Sequence, residues 1–264
     1  MGRINQAFER ARSEQRAALV IYLCAGDPDL ATTLRLMRAI ATAGADVIEV
    51  GVPFSDPTAD GPVIQRASER ALASGTTLLG VLETVSELRK HSDVPVVLFG
   101  YYNPILALGE AVAVARAKAA GVDGFLVVDL PPEEAQSFHA QTQQQGLSFV
   151  PLVAPTTSDE RLARVATLAD SFVYYVSLTG VTGAATDLVL ASKRAVEVSR
   201  HMGLPVAVGF GVKTPDDARS VAQHAAGVVV GSAICSVIES APDADAAVQR
   251  VTDLVASLKR ACQR

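Results

Sequence analysis

The sequence predicts an α/β fold of the (β/α)8 TIM-barrel class, and three observations carry that expectation. Eight short apolar runs alternate along the chain with segments of helical periodicity, and such runs suit strands of a parallel sheet covered on both faces. Eight units of this kind fit the 264 residues, which is the length of one barrel domain, so residues 1–264 are expected to form a single domain. No Gly-x-Gly-x-x-Gly follows the first run and the units are evenly sized, which leaves an open doubly wound sheet as the runner-up.

In order along the chain, a helix over residues 3–14 precedes the barrel and is placed to cap its base. Ala18–Leu23 is the first strand, with a turn at Gly26-Asp27-Pro28. Asp29–Ala43 repeats apolar residues at helical spacing (Leu30, Leu34, Leu36, Met37, Ile40) and stops at Gly44. Asp46–Gly51 is the second strand, and Gln65–Ala73 and Thr77–Lys90 are helices. Pro95–Gly100 and Gly124–Val128 are the third and fourth strands, followed by helices over Glu110–Ala120 and Pro131–Gln145. Ser148–Val153, Phe172–Val176, Pro205–Gly209 and Gly227–Val230 complete the strands. Their helices cover Ser158–Ala169, Leu188–Met202 and Pro215–Ala225, and a short and then a long helix close the chain. Glycines at Gly44, Gly121 and Gly227 sit between helix and strand, where the left-handed conformation is often required.

Composition narrows the function classes. Net charge is −5 with no basic stripe and no block of like charge, so neither nucleic acid nor an anionic membrane is an expected partner. The first 18 residues lack an apolar segment, so no signal peptide is expected, and no run is long and apolar enough to span a bilayer. Three scattered cysteines (Cys24, Cys235, Cys262) without Cys-x-x-Cys spacing argue for a reducing, cytoplasmic setting and against structural zinc. The four histidines show no metal-binding spacing and are expected on the solvated surface, so no metal ligands are assigned.

In a barrel the site lies where the strands end. The second strand carries Glu49 between Ile48 and Val50, and a buried carboxylate costs several kcal/mol unless it is paired or neutral. The loop after it holds Asp56 and Asp60 between Pro53, Pro57 and Pro62. Two carboxylates in different environments suit acid/base work: Glu49 raised by burial, Asp60 ionised on its loop. The alternatives are a structural Glu49 paired with a backbone N–H, and an Asp60 that only caps the next helix. Gly209-Phe210-Gly211 and Gly231-Ser232 end the last two strands, and Gly180–Gly183 follows the sixth. Glycine N–H groups and a helix N-terminus suit a phosphate, and the Gly180–Gly183 segment suits a lid. Of Tyr174 and Tyr175, one must face inward. Lys213 lies beyond a strand end, where a surface role outweighs a Schiff base, and Cys24 has no histidine near it at the strand ends.

These segments resemble the tryptophan synthase alpha subunit family over essentially the whole chain. The matching motifs are Gly26-Asp-Pro28, Ile48-Glu-Val-Gly-Val-Pro-Phe-Ser-Asp-Pro57, Ala59-Asp-Gly-Pro62, Tyr101-Tyr-Asn-Pro104, Val127-Val-Asp-Leu-Pro-Pro132, Gly180-Val-Thr-Gly183, Gly209-Phe-Gly211 and Gly231-Ser232. The resemblance implies retro-aldol cleavage of indole-3-glycerol phosphate to indole and glyceraldehyde 3-phosphate, with no cofactor in this chain. It makes Glu49 the proton shuttle, Asp60 the acceptor for the indole N–H, Tyr174 a substrate contact, and Gly183, Phe210, Gly211, Gly231 and Ser232 the phosphate site. It also implies a beta-subunit partner, itself carrying pyridoxal phosphate, in an α2β2 heterotetramer, with loop 53–60 and Tyr102-Asn-Pro104 facing it. A stand-alone lyase releasing free indole, or a non-catalytic activator of a beta subunit, remain the alternatives. The chain departs from the family's common residues at Cys24, Thr58 and Ala185.

Overall fold

The computed structural model describes residues 2–176, 185–209 and 211–264. Its strands are β1 (Ala18–Cys24), β2 (Val47–Gly51), β3 (Val96–Gly100), β4 (Gly124–Val127), β5 (Ser148–Phe149), β6 (Leu152–Val153), β7 (Val173–Val176), β8 (Val206–Gly209) and β9 (Gly227–Val230). All pair in parallel, in the order β5-β4-β3-β2-β1-β9-β8-β7-β6. The two ends of that order are one run of chain. The expected fifth strand, Ser148–Val153, is split at Val150-Pro151, because proline has no N–H to give to a ladder. Pairing continues across the break: Val150 N donates to Phe125 O at 2.8 Å and Tyr174 N to Pro151 O at 3.0 Å. The sheet therefore closes on itself with eight strand positions, and the barrel expectation holds.

The helices are α1 (Arg3–Ser13), α2 (Leu30–Thr42), α3 (Pro62–Ala73), α4 (Leu78–Arg89), α5 (Tyr102–Leu108), α6 (Glu110–Ala120), α7 (Gln136–Gln144), α8 (Asp159–Ala166), α9 (Ala185–Met202), α10 (Pro215–Ala222), α11 (Ser232–Glu239) and α12 (Ala244–Ala261). Their starts follow local chemistry. Asp29 accepts from Thr32 N at 2.7 Å, and Thr214 and Asp217 form a reciprocal capping box at α10. Helix α5 is not among the expected helices; its Pro104 lies within the first turn, where proline loses no helical bond. Helix α7 begins five residues after Pro131, since the Pro131-Pro132 stretch turns instead.

Strand alternation sorts the barrel into two apolar layers. Ala18, Val20, Tyr22, Val47, Val97, Phe99, Leu126, Tyr174, Ala207 and Val229 face the interior. Ile48, Val50, Leu98, Phe125, Tyr175 and Val208 face the helices. The N-terminal helix closes the base as expected: Ile4, Ala7, Phe8 and Ala11 belong to the inner layer, and Phe8 stacks on Phe172 with ring centres 4.9 Å apart. Gly44 and Gly121 do adopt left-handed conformations, at φ 104° and 85°. Gly227 does not. It is small because a Cβ there would meet the Ala207 Cβ at 2.9 Å and Phe8 at 3.1 Å.

At the same end lies a fully paired carboxylate. Asp46, just before β2, accepts from Arg16 at 2.6 and 2.9 Å, Lys259 Nζ at 2.7 Å and Leu19 N at 2.8 Å. One histidine departs from expectation. His139, on α7, is buried against Phe149 with Nε2 3.1 Å from Asp170, while His91, His201 and His224 are exposed.

Candidate active site

Glu49 lies on β2 in register with Tyr22 on β1 and Val97 on β3, so all three belong to one inward layer. Its side chain has no exposed surface, and neither carboxylate oxygen has a hydrogen-bond partner among the described residues. The alternative of a carboxylate paired with a backbone N–H therefore fails among them. Burial without compensation favours the neutral acid and pushes the Glu49 carboxyl up to about 8.

Asp60 is held differently. The Tyr101 hydroxyl donates to its Oδ2 at 3.1 Å, and the same hydroxyl accepts from Ala59 N at 2.9 Å. Phe54 stacks on Tyr101 at 5.0 Å, and Gln65 Nε2 donates to the Asp60 carbonyl at 3.0 Å, which ties the loop to α3. Burial raises the Asp60 carboxyl to about 6, with the Tyr101 hydrogen bond working against the rise. It is less acidic than a loop carboxylate should be, yet ionised at neutral pH. It is not a helix cap: Gly61 is the N-cap of α3, without a side-chain bond, and Pro62 supplies the first turn.

Both carboxylates line a cavity of about 600 Å³ at the strands' C-terminal ends. Tyr22, Ile64, Phe99 and Tyr174 give it an apolar, aromatic wall, and Gly211, Gly231 and Ser232 lie in the same lining. Gly231 precedes the first turn of α11, which contains no acidic residue, so its N–H end faces the cavity without a competing charge. Gly183 and Phe210, also assigned to the phosphate site, lie outside the described residues, as does the Gly180–Gly183 segment expected as a lid. The side chain of Ala185 is likewise not described.

Tyr174 is the inward tyrosine of the pair, and Tyr175 packs outward. Its hydroxyl does not reach Glu49. It occupies the space over Gly209, where a Cβ would come within 1.9 Å of it. Tyr22 does the same over Gly51, at 2.3 Å. Both strand-end glycines thus have a packing reason to be small. Lys213 is exposed at the cavity's edge. Cys24 is buried near Ser68, and burial raises its thiol, which suits no nucleophile.

Tyr101, Tyr22 and Phe99 were not assigned from sequence. Tyr101 stands directly after β3, the strand beside Glu49, and Tyr22 is the register partner of Glu49 on β1. Strand pairing, once known, identifies both.

A larger cavity of about 760 Å³ opens at the opposite, N-terminal end, among Arg10, Arg16, Arg38, Asp46, His91 and Lys259. Its two carboxylates are Asp46, which is fully engaged, and Asp93, which stands in solvent 3.7 Å from Arg3, so neither is a buried acid poised to move a proton. The smaller cavity combines a neutral carboxyl, an ionised carboxylate, an aromatic wall and a helix N-terminus without acidic residues. That set suits proton shuttling on a flat, N–H-bearing ring joined to a phosphate.

Comparison with known proteins finds relatives over the whole chain. The family model described as tryptophan synthase alpha chain matches residues 8–263. The tryptophan synthase alpha chain of Dechloromonas aromatica (strain RCB) is 52% identical over 262 residues, covering 98% of this chain and 97% of the relative. That of Geobacter sulfurreducens is 49% identical, covering 99% of each. Among solved structures, tryptophan synthase subunit alpha from Legionella pneumophila str. Paris superposes with a TM-score of 0.92 at 40% identity, covering 99% of this chain and 98% of that one. A Mycobacterium tuberculosis tryptophan synthase chain gives 0.90 at 34% identity, covering 100% and 99%.

Proposed function

The chain belongs to the tryptophan synthase alpha chain family, and we propose that Glu49 and Asp60 divide its chemistry between them within one barrel domain spanning residues 1–264. As a member of that family it is a carbon–carbon lyase of tryptophan biosynthesis. It cleaves indole-3-glycerol phosphate into indole and glyceraldehyde 3-phosphate and passes indole to a beta subunit. The pyridoxal phosphate of the complex belongs to that subunit, and this chain works without a cofactor of its own. The chain's three cysteines are free and buried, and no helix among the described residues is long and apolar enough to cross a membrane. We place the protein in the cytoplasm.

The buried Glu49 carboxyl, unpartnered among the described residues, is the observation that carries the mechanism. With its proton held up to about 8, it is the neutral acid at pH 7 and donates to C3 of the indole ring. The ring nitrogen then carries positive charge, and the ionised Asp60 accepts its N–H and stabilises that charge. Glu49, now a carboxylate, takes the proton of the glycerol hydroxyl next to the ring. The electrons of that O–H bond form the aldehyde carbonyl, the C–C bond to C3 breaks, and its electron pair restores the neutral indole. Glu49 ends as it began, and no external base is consumed. Gly211, Gly231 and Ser232, with Gly183 and Phe210 from the family pattern, hold the phosphate, and Tyr174 and Tyr22 wall the ring.

The test is indole release from indole-3-glycerol phosphate by the purified chain, alone and with a beta subunit. Release stimulated by beta is the expected result. Equal, rapid release with and without beta would make the chain a stand-alone lyase, and no release in either case would remove the lyase role.

A further inference from the structure

Helices α3 and α11 start at the two poles of the site. Helix α3 begins at Pro62, directly after Asp60, and α11 begins at Ser232, in the phosphate pole. A chain of alternating charges joins them. Arg66 forks onto Glu239 at 2.7 and 2.8 Å, and Arg70 reaches the same carboxylate at 2.9 Å. Arg70 also forks onto Asp27 at 2.8 and 2.8 Å. Asp27 is buried in the loop after β1, inside the Gly26-Asp27-Pro28 turn that the catalytic groups leave unused. Ser74, at the end of α3, donates to Gly26 O at 3.1 Å and fastens that loop again. Arg66 and Arg70 stand one and two turns into α3, and Glu239 is the last residue of α11. Two bidentate forks fix orientation as well as distance, which single ion pairs do not.

We propose that Asp27, Arg70, Glu239 and Arg66 form a positioning clamp that sets the span between the Asp60 pole and the phosphate pole, and so the length of substrate the site accepts. This rests on the assignment of those two poles above. None of the four side chains lines the cavity, so they act through α3 and α11 and not on the substrate. A positioning role has a signature that general damage lacks. A ligand touching one pole does not sense the span, whereas a ligand joining both does.

The experiment compares three ligands on the purified chain: indole, glycerol 3-phosphate, and an indole joined to phosphate by a saturated three-carbon chain that cannot be cleaved. In the parent, the joined ligand binds much more tightly than either half; if it does not, the assignment of the poles fails, independently of the clamp. In Glu239→Ala the joined ligand weakens about tenfold while each half stays within about twofold. Arg66→Lys keeps the charge and loses the fork, so it gives a smaller loss of the same kind, and it decides the matter if Glu239→Ala folds poorly. Parallel weakening of all three ligands would show general damage and overturn the clamp. Unchanged binding of the joined ligand in both variants would overturn it too.

Discussion

Asp46, just before β2, and Glu49, in the middle of it, are buried carboxylates three residues apart, and their surroundings are opposite. Asp46 accepts from two cationic side chains and a backbone N–H at the base of the barrel. Glu49 faces the mouth with both oxygens unpartnered among the described residues. The paired carboxylate is committed to holding the start of β2 against β1, the Arg16 segment before it, and α12. The unpaired one costs the fold free energy and keeps a proton that can be given away. Burial alone does not separate structure from function; the presence or absence of a compensating donor does.

The first way to break this contrast is to remove each carboxylate's charge and ask what is lost. Glu49→Gln keeps the shape and removes the proton shuttle, so indole release should fall at least about a thousandfold with substrate binding retained. A variant with near-parental turnover would strip Glu49 of its role. Asp46→Ala should do the reverse. It leaves Arg16 buried beside an empty place, and denaturant unfolding should show a loss of about 3–5 kcal/mol. Turnover per folded molecule should stay near parental, because the base lies away from the cavity. A large loss of kcat at full stability would merge the two ends functionally.

The second uses pH, and the sign follows from the neutral form that the fold prefers. The folded Glu49 value, about 8, lies above the ordinary 4.5. Below the ordinary value both states are protonated and the group contributes nothing. As pH rises from there to about 8 the unfolded state ionises first, and stability is lost. Glu49→Gln has no such dependence. From pH 4 to pH 9 the difference between variant and parent should move in the variant's favour by about 4 kcal/mol, whatever fixed offset the amide brings. A pH-independent difference would mean that Glu49 finds a partner in solution.

The same contrast explains what could be read before the structure. The barrel was legible because its strands are apolar on consecutive positions and its helices keep their period; the break at Pro151 is a local loss of one donor. Glu49 was legible because a carboxylate inside an apolar strand demands an explanation. Asp60 was only half legible, since an aspartate before Gly61-Pro62 fits a helix cap equally well, and its hydroxyl donor, Tyr101, is 41 residues away in sequence. His139 was misjudged for the same reason: its partner Asp170 is 31 residues distant. Periodicity reports which face is buried, and not which polar groups meet there.

The smallest expected effect tests how the mouth keeps its second carboxylate ionised while leaving the first neutral. Two limbs should bound the pH profile of kcat/KM, an acid one near 6 from Asp60 and an alkaline one near 8 from Glu49. Burial raises both groups, but among the described residues only Asp60 receives a hydroxyl, from Tyr101. Tyr101→Phe removes that donor and keeps the ring that stacks on Phe54. Asp60 should then hold its proton to higher pH, moving the acid limb up by as much as about one unit. At pH 6 kcat/KM should fall about three- to tenfold, while at pH 8, where Asp60 is ionised in either case, most of the loss should disappear. The alkaline limb should not move, because no bond joins Tyr101 to Glu49. An unshifted acid limb would mean that solvent, and not Tyr101, keeps Asp60 charged, and that the asymmetry of the two carboxylates rests on burial alone.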